Sequence, residues 1–194
     1  MANRANHYDA AFEEYLRHYR MPYVAVDETR RSLSEETSLK SPDYIVSPAA
    51  GDNWLVDIKG RRFPSGGEKQ SHRWENWATQ DDIDSMLRWQ EVFGSGFRAM
   101  LVFAYDILDA RWAWQFERRS RWLYREQSYA FYGVWVDDYE TRMSRRSRQW
   151  DTVSLKKRDY EEVRFPLGAF MTESSGSRLL AAGERDFGRS EVFA

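Results

Sequence analysis

The sequence predicts a mixed α/β fold, a central mixed β-sheet flanked by helices with a β-rich extension after it, on three observations. An amphipathic helical pattern opens the chain, two strand-like runs follow with a five-residue connection between them, and a capped helix then stands between two strands. A five-residue link suits an antiparallel hairpin, whereas strand, helix, strand calls for a crossover, so both kinds of pairing are expected in one sheet.

In chain order, Tyr8, Phe12, Tyr15, Leu16 and Tyr19 recur at three- and four-residue steps from Asn6, with Arg17, His18 and Arg20 near the end and Pro22 as the stop. That spacing predicts an amphipathic helix. Tyr23 to Val26 reads as a strand, and the polar Glu28 to Lys40 stretch as a loop or short excursion. Asp43 to Ser47 and Asn53 to Lys59 read as two strands joined by Pro48 to Asp52. A loop symmetric about Ala50 would pair Ser47 with Asn53 and Ile45 with Leu55. Asp43 would then fall opposite Asp57, with Cβ atoms on the order of 5 Å apart.

Gly60 to Gln70 carries the Gly, Pro and Ser punctuation of a mobile loop, and Arg61, Arg62 and Lys69 on it are candidates for contact with a nucleic-acid backbone. Thr79 and Asp82 form an N-cap pair, Ile83, Met86, Leu87, Gln90 and Phe93 make a helical stripe, and Gly94 supplies the stop. Phe97 to Tyr105 is an apolar strand. Beyond it the alternation of Trp112, Trp114 and Phe116 predicts a strand, as do Tyr129 to Val136 and Trp150 to Leu155, and Ser, Gly and Arg dominate from Thr172. The expected organisation is one domain over residues 1–171, with a core at 6–105, an extension at 106–171 and a flexible tail at 172–194.

Composition removes several chemistries. There is no Cys and there are three His (His7, His18, His72), so thiolate nucleophiles, Cys-based zinc sites and His-rich metal cages are excluded. No apolar run approaches the roughly 18 residues of a membrane span and no secretory leader pattern opens the chain, so a cytoplasmic protein is expected. The net charge of -2 conceals an Arg-rich stretch from Arg111 to Arg158, which suits a local phosphate-binding face or a solvated Arg-biased surface.

The residues that carry chemistry lie in Asn53 to Lys59. Side chains alternate along a strand, so Asp57 and Lys59 share one face while Val56 and Ile58 share the other. An ionised carboxylate inside an apolar strand is costly unless a cation or hydrogen bonds compensate it. A salt bridge at a strand end would give the same pair, but a second carboxylate at Asp43 and a third on the first helix, Glu13 or Glu14, point further. The chain has 24 Arg and five Lys, and a compact ammonium at Lys59 suits an attacking water or a scissile phosphate better than a planar guanidinium would.

Pro42-Asp43 followed by Asp57-Ile58-Lys59, with a helical acid before and a helix and strand after, resembles the PD-(D/E)XK superfamily of nucleases and resolvases over Asn6 to Tyr105. More narrowly, His7-Tyr8-Asp9-Ala10-Ala11-Phe12-Glu13 resembles the name-giving motif of the bacterial HYExAFE family, with Asp9 in place of its Glu. The resemblance implies a restriction-endonuclease-like core and hydrolysis of phosphodiester bonds in nucleic acid, DNA ahead of RNA. It implies Mg²⁺ (or Mn²⁺) on Asp43, Asp57, the Ile58 carbonyl and Glu13, with Lys59 orienting the attacking water. Gln80, one turn before Ile83, would face the sheet and steady the site. A homodimer would suit cutting of two strands. A non-cleaving nucleic-acid binder and a protein-interaction module on the same fold are the rival readings.

Overall fold

The computed structural model describes residues 6–26, 32–33, 38–65 and 74–171. Helix α1 (His7–His18) leads into β1 (Tyr23–Ala25), β2 (Ser32–Leu33), β3 (Ser38–Leu39), β4 (Tyr44–Val46), β5 (Asn53–Phe63) and β6 (Ala78–Thr79). Helix α2 (Gln80–Phe93) precedes β7 (Phe97–Ile107), β8 (Arg121–Tyr124) and β9 (Gln127–Trp135). The chain continues through α3 (Val136–Arg142), β10 (Ser144–Ser147), β11 (Thr152–Ser154), α4 (Lys157–Val163) and β12 (Phe165–Pro166).

A seven-stranded sheet runs β1-β4-β5-β7-β9-β12, with β8 also on β9. Strands β5 and β7 are parallel and the other pairs antiparallel, so the sheet is mixed. The parallel pair is joined through α2, the crossover that the strand, helix, strand order called for. Strand β4 meets β5 with Ile45 opposite Leu55 and Val46 opposite Trp54, the expected hairpin register.

Period-two alternation gives the sheet two apolar faces. Trp54, Val56, Met100, Val102, Ala104 and Phe131 pack with Ala11, Phe12, Tyr15 and Leu16 of α1. Leu55, Phe63, Leu101, Phe103 and Tyr105 pack with Ile83 and Met86 of α2, Tyr139 of α3 and Tyr160 of α4. Asn6 caps α1 by accepting from the Tyr8 N–H, and Thr79 and Asp82 form a reciprocal capping box on α2, the pair read from sequence.

Three elements differ from expectation. Residues 60–63 are not loop but the last turn of pleat of β5, paired in register with 104–107. The Trp112, Trp114 alternation is a 3₁₀ helix, Ala110–Gln115, because Asp109 accepts from the Arg111 N–H at 2.9 Å and turns the backbone locally. The short helices α3 and α4 are additional to the strands expected there. Residues 172–194, expected as a tail, lie outside the described residues.

Candidate functional site

Pro42 carries no N–H and β4 begins only at Tyr44, so the backbone ladder to β5 changes character at Asp43. The Asp43 N–H still donates to the Val56 carbonyl at 2.8 Å. One step on, the Ile58 N–H donates instead to the Asp43 carboxylate, Oδ2, at 2.5 Å. The side chain has replaced the backbone partner, and this brings a carboxylate oxygen against the Ile58 peptide.

On the α2 side of β5 the charges form a chain. Lys59 Nζ lies 2.5 Å from Asp57 Oδ2 and 3.1 Å from Asp82 Oδ2, and Lys40 Nζ lies 2.8 Å from Asp82 Oδ1 and 3.1 Å from Asp81 Oδ2. The side chains of Asp57, Lys59 and Asp82 keep 13%, 15% and 8% of their exposure, so this is a largely desolvated network rather than a surface pair. Asp82 is clamped twice more by its capping box, accepting from the Thr79 N–H at 2.8 Å. Lys40 is held to α2 because its N–H donates to Ser85 and its carbonyl accepts from the Trp89 indole at 2.8 Å.

The electrostatics of the two acids diverge. Burial pushes the Asp57 carboxyl up, and the neighbouring Asp82 adds to this against the pull of Lys59. Burial also pushes Asp82 up, but Lys59, Lys40 and the Thr79 hydrogen bonds outweigh it and hold Asp82 well below the ordinary carboxylate range. Burial tends to discharge Lys59, yet Asp57 and Asp82 together keep it firmly protonated. Asp57 Oδ2 is buried against the Lys59 ammonium at 2.5 Å, and among the described residues no other donor reaches it. Asp57, the Asp43 carboxylate held at the Ile58 N–H, and the Ile58 carbonyl are hard oxygen donors of the kind a divalent cation takes. Among the described residues no three His, Asp or Glu side chains converge as a complete metal cage.

Several expected members lie elsewhere. Glu13 is on α1, against the opposite sheet face, where it accepts from the Tyr23 hydroxyl at 2.8 Å and pairs with Arg17. The buried acid of α1 is Asp9, 5% exposed in the first turn. Burial raises the Tyr44 phenol, and Asp9, Glu13 and Asp43 all lie close enough to raise it further. Gln80 turns outward and donates to Asp84 at 2.9 Å, so the α2 residue that faces the site is Asp82. Asp82 stands four residues before Met86 on the buried stripe, a spacing that could have marked it; Lys40 carries no comparable signal.

Arg61 is not a loop cation. Its position on β5 points it into the α2 side, 7% exposed, where it donates to the Gly60 carbonyl at 2.6 Å and to the Trp77 carbonyl and stacks 3.9 Å from the centre of the Trp77 ring. Arg62 is exposed on the other face of β5, and Lys69 lies outside the described residues. In the Arg-rich stretch, Arg111, Arg142, Arg145 and Arg146 have acidic partners, so part of that charge is locally neutralised.

The chain has a structural counterpart among solved proteins. It is similar to the Holliday junction resolvase Hjc of the archaeal hyperthermophile Archaeoglobus fulgidus, with a TM-score of 0.50 over 85% of this chain and 98% of the resolvase. The fold is restriction-endonuclease-like. At 11% identity, what the two chains share is that fold. No family model matches the chain and no curated protein matches it, so the likeness of His7 to Glu13 to the HYExAFE motif rests on those residues alone. No helix among the described residues is long and apolar enough to cross a membrane.

Proposed function

We propose that this chain is a metal-dependent nuclease that hydrolyses phosphodiester bonds in DNA, with Asp43, Asp57 and the Ile58 carbonyl holding Mg²⁺ or Mn²⁺. The observation that carries the reading is the buried Asp57 carboxylate paired with Lys59 on β5, with a second carboxylate, Asp43, held at the Ile58 N–H of the same strand. Bound there, the cation would offset the charge that builds on the phosphate and acidify the attacking water.

The residues supply the rest. Asp43 accepts from the Ile58 N–H and so anchors the residue whose own carbonyl is the third donor. Lys59, kept protonated by its two acids, holds an ammonium beside the reacting phosphate and orients the water. Asp82, locked by Thr79 and Lys40, sets the position of that ammonium. Glu13 is left out of this set because Arg17 and Tyr23 occupy it. A homodimer would place two such sites on two strands.

A second reading, a nucleic-acid binder that does not cleave, is favoured by one observation: Lys59 is engaged between Asp57 and Asp82, and among the described residues no third acid joins Asp43 and Asp57. Titration calorimetry with Mg²⁺ and Mn²⁺, native chain against Asp57→Asn and Asp43→Asn, followed by labelled linear and branched DNA in the same metals, separates the two. Metal binding lost in both variants together with cleavage supports the nuclease; DNA binding without metal binding supports the second reading.

A further inference from the structure

The nuclease reading leaves unused the most distinctive run of the sequence, His7-Tyr8-Asp9, and the structure gives two of these residues a setting of their own. Tyr8 lies on Gly60: a Cβ there would run into the Tyr8 ring. The glycine therefore seats the start of α1 on β5. His7 beside it stacks on Tyr8 with ring centres 4.0 Å apart and bonds through Nδ1 to the Tyr129 hydroxyl at 2.7 Å.

These contacts close one side of a cleft of about 330 Å³, lined by His7, Asp106, Tyr124, Arg125, Gln127 and Tyr129. That volume is at the small end of ligand-binding sites, which run from about 300 to 1,000 Å³. Asp106 continues the run Met100, Val102, Ala104 of β7 that packs against α1, so the cleft opens on the sheet face opposite Lys59 and Asp82. None of its residues touches the Asp57 network.

Its chemistry is specific. Asp106 is a carboxylate only 6% exposed, and it accepts from the Gln127 amide. A carboxylate has about four lone-pair sites, so one amide donor leaves acceptor capacity for a ligand. Aromatic rings of His7, Tyr124 and Tyr129 form the walls. Two cations stand near: Arg62, the register neighbour of Asp106 on β5, and Arg125 at the lip, its guanidinium 5.1 Å from the Tyr124 ring centre.

The lip is strained. Tyr124 pairs with Gln127, so Arg125 and Glu126 form a two-residue turn, with φ of 48° and 65°. Such turns favour Asn and Gly at both positions, because other side chains crowd the backbone there. The chain keeps Arg at a position where Gly would sit without strain, a pattern found where a side chain serves a site.

We propose that this cleft binds a guanine nucleotide unit, with the base between the aromatic walls, its N1–H and N2–H₂ edge on Asp106, and the phosphate toward Arg125 and Arg62. Guanine alone among the common bases presents two adjacent N–H donors on that edge, the complement of a carboxylate. A simple cation would satisfy Asp106 but would meet Arg62 and Arg125 as well. The unit is a free nucleotide or an unpaired guanine of a polynucleotide; both present the same edge and the same phosphate.

The test is calorimetric titration with GMP, AMP and guanosine, and with single-stranded DNA hexamers that differ at one central position, dG against dA. We expect GMP to bind at least about tenfold tighter than AMP, the size of one good bidentate contact, and Asp106→Asn to abolish the preference. Arg125→Gly should raise the melting temperature by removing strain, weaken GMP by about three- to tenfold, and leave guanosine unchanged, since a phosphate contact is lost without the base contact. Binding of the dG hexamer tighter than GMP, or without GMP binding, assigns the polynucleotide as the source; GMP preference with no discrimination between the hexamers assigns the free nucleotide. Equal binding of GMP and AMP, or native affinity in Asp106→Asn, overturns the guanine assignment, and silence of both GMP and the dG hexamer overturns the site. Asp57→Asn should leave every one of these titrations unchanged, so loss of cleavage and loss of guanine binding report separately.

Discussion

The two faces of strand β5 are built from one eleven-residue run yet use opposite physical means. Toward α2, Asp57, Lys59 and Arg61 put charge into a buried setting and hold it by pairing. Toward α1, Val56, Ile58 and Gly60 offer apolar contact and, at the glycine, a bare backbone on which Tyr8 rests. On the first face stability is spent on placing ionised groups, which is costly and becomes useful where those groups meet a ligand. On the second it comes from close packing, and chemistry gathers only beyond the end of that packing, around Asp106.

The largest effect expected on this contrast is at Asp57. Asp57→Asn should lower DNA cleavage at least about a hundredfold, the scale of losing one electrostatic contact to a transition state. Thermal melting of the same variant should show a smaller loss than Asp82→Ala does, because relief of the buried charge at Asp57 offsets part of the pairing that Lys59 loses. A variant that melts much lower and cleaves normally would make Asp57 a structural acid.

Next comes Asp82→Ala. It removes one of two partners from a buried ammonium, breaks the capping box and frees Lys40, so urea unfolding should show a loss of about 3–5 kcal/mol, the range for breaking a buried pair. Its pH dependence has a definite sign. Asp82 is held below the ordinary Asp value of about 3.9, so its contribution is fully present above that value and is lost as the pH falls below it toward the depressed folded value. Asp57 works in reverse: its folded pKa is raised, so protonating it as the pH falls through that raised value relieves the fold. In metal-free protein, acid destabilisation should therefore begin below about pH 4 and flatten in Asp82→Asn, as read by urea midpoints across pH.

On the other face, Gly60→Ala should cost about 1–3 kcal/mol by overpacking against the Tyr8 ring, and Gly60→Ala combined with Tyr8→Ala should recover part of the loss. Additive losses in urea unfolding of the double variant would mean that the ring and the glycine are independent.

These contrasts also mark how much was legible beforehand. The hairpin register and the facing of Asp57 with Lys59 follow from period two and loop length, both local properties, and the capping box follows from residue type at fixed spacing. Gln80, Arg61 and Glu13 were less legible. Gln80 and Glu13 each have a partner four residues on, Asp84 and Arg17, but spacing alone does not say whether a side chain takes that partner or turns to the site, and Arg61 is held by Trp77 through tertiary contact. Lys40 and Asp106 could not be found from pattern at all, since Lys40 precedes its strand in an irregular segment and Asp106 is one more polar residue at a strand end.

The smallest expected effect decides which acid of α1 matters. Glu13 pairs with Arg17 at i, i+4, with the Arg side chain 62% exposed, so Glu13→Gln should cost only about 0.3–0.5 kcal/mol. If Glu13 stays outside the reacting centre, cleavage by that variant should remain close to the native rate. Asp9 is buried on the same helix, and its backbone carbonyl accepts from the Tyr44 hydroxyl at 3.2 Å, so Asp9→Asn should be the more damaging of the two in both melting and cleavage. The reverse order, cleavage lost in Glu13→Gln and retained in Asp9→Asn, would require α1 to turn on binding DNA or metal, releasing Glu13 from Arg17 and Tyr23. Measuring both variants with and without Mg²⁺ distinguishes a helix acid already in place from one that must be recruited.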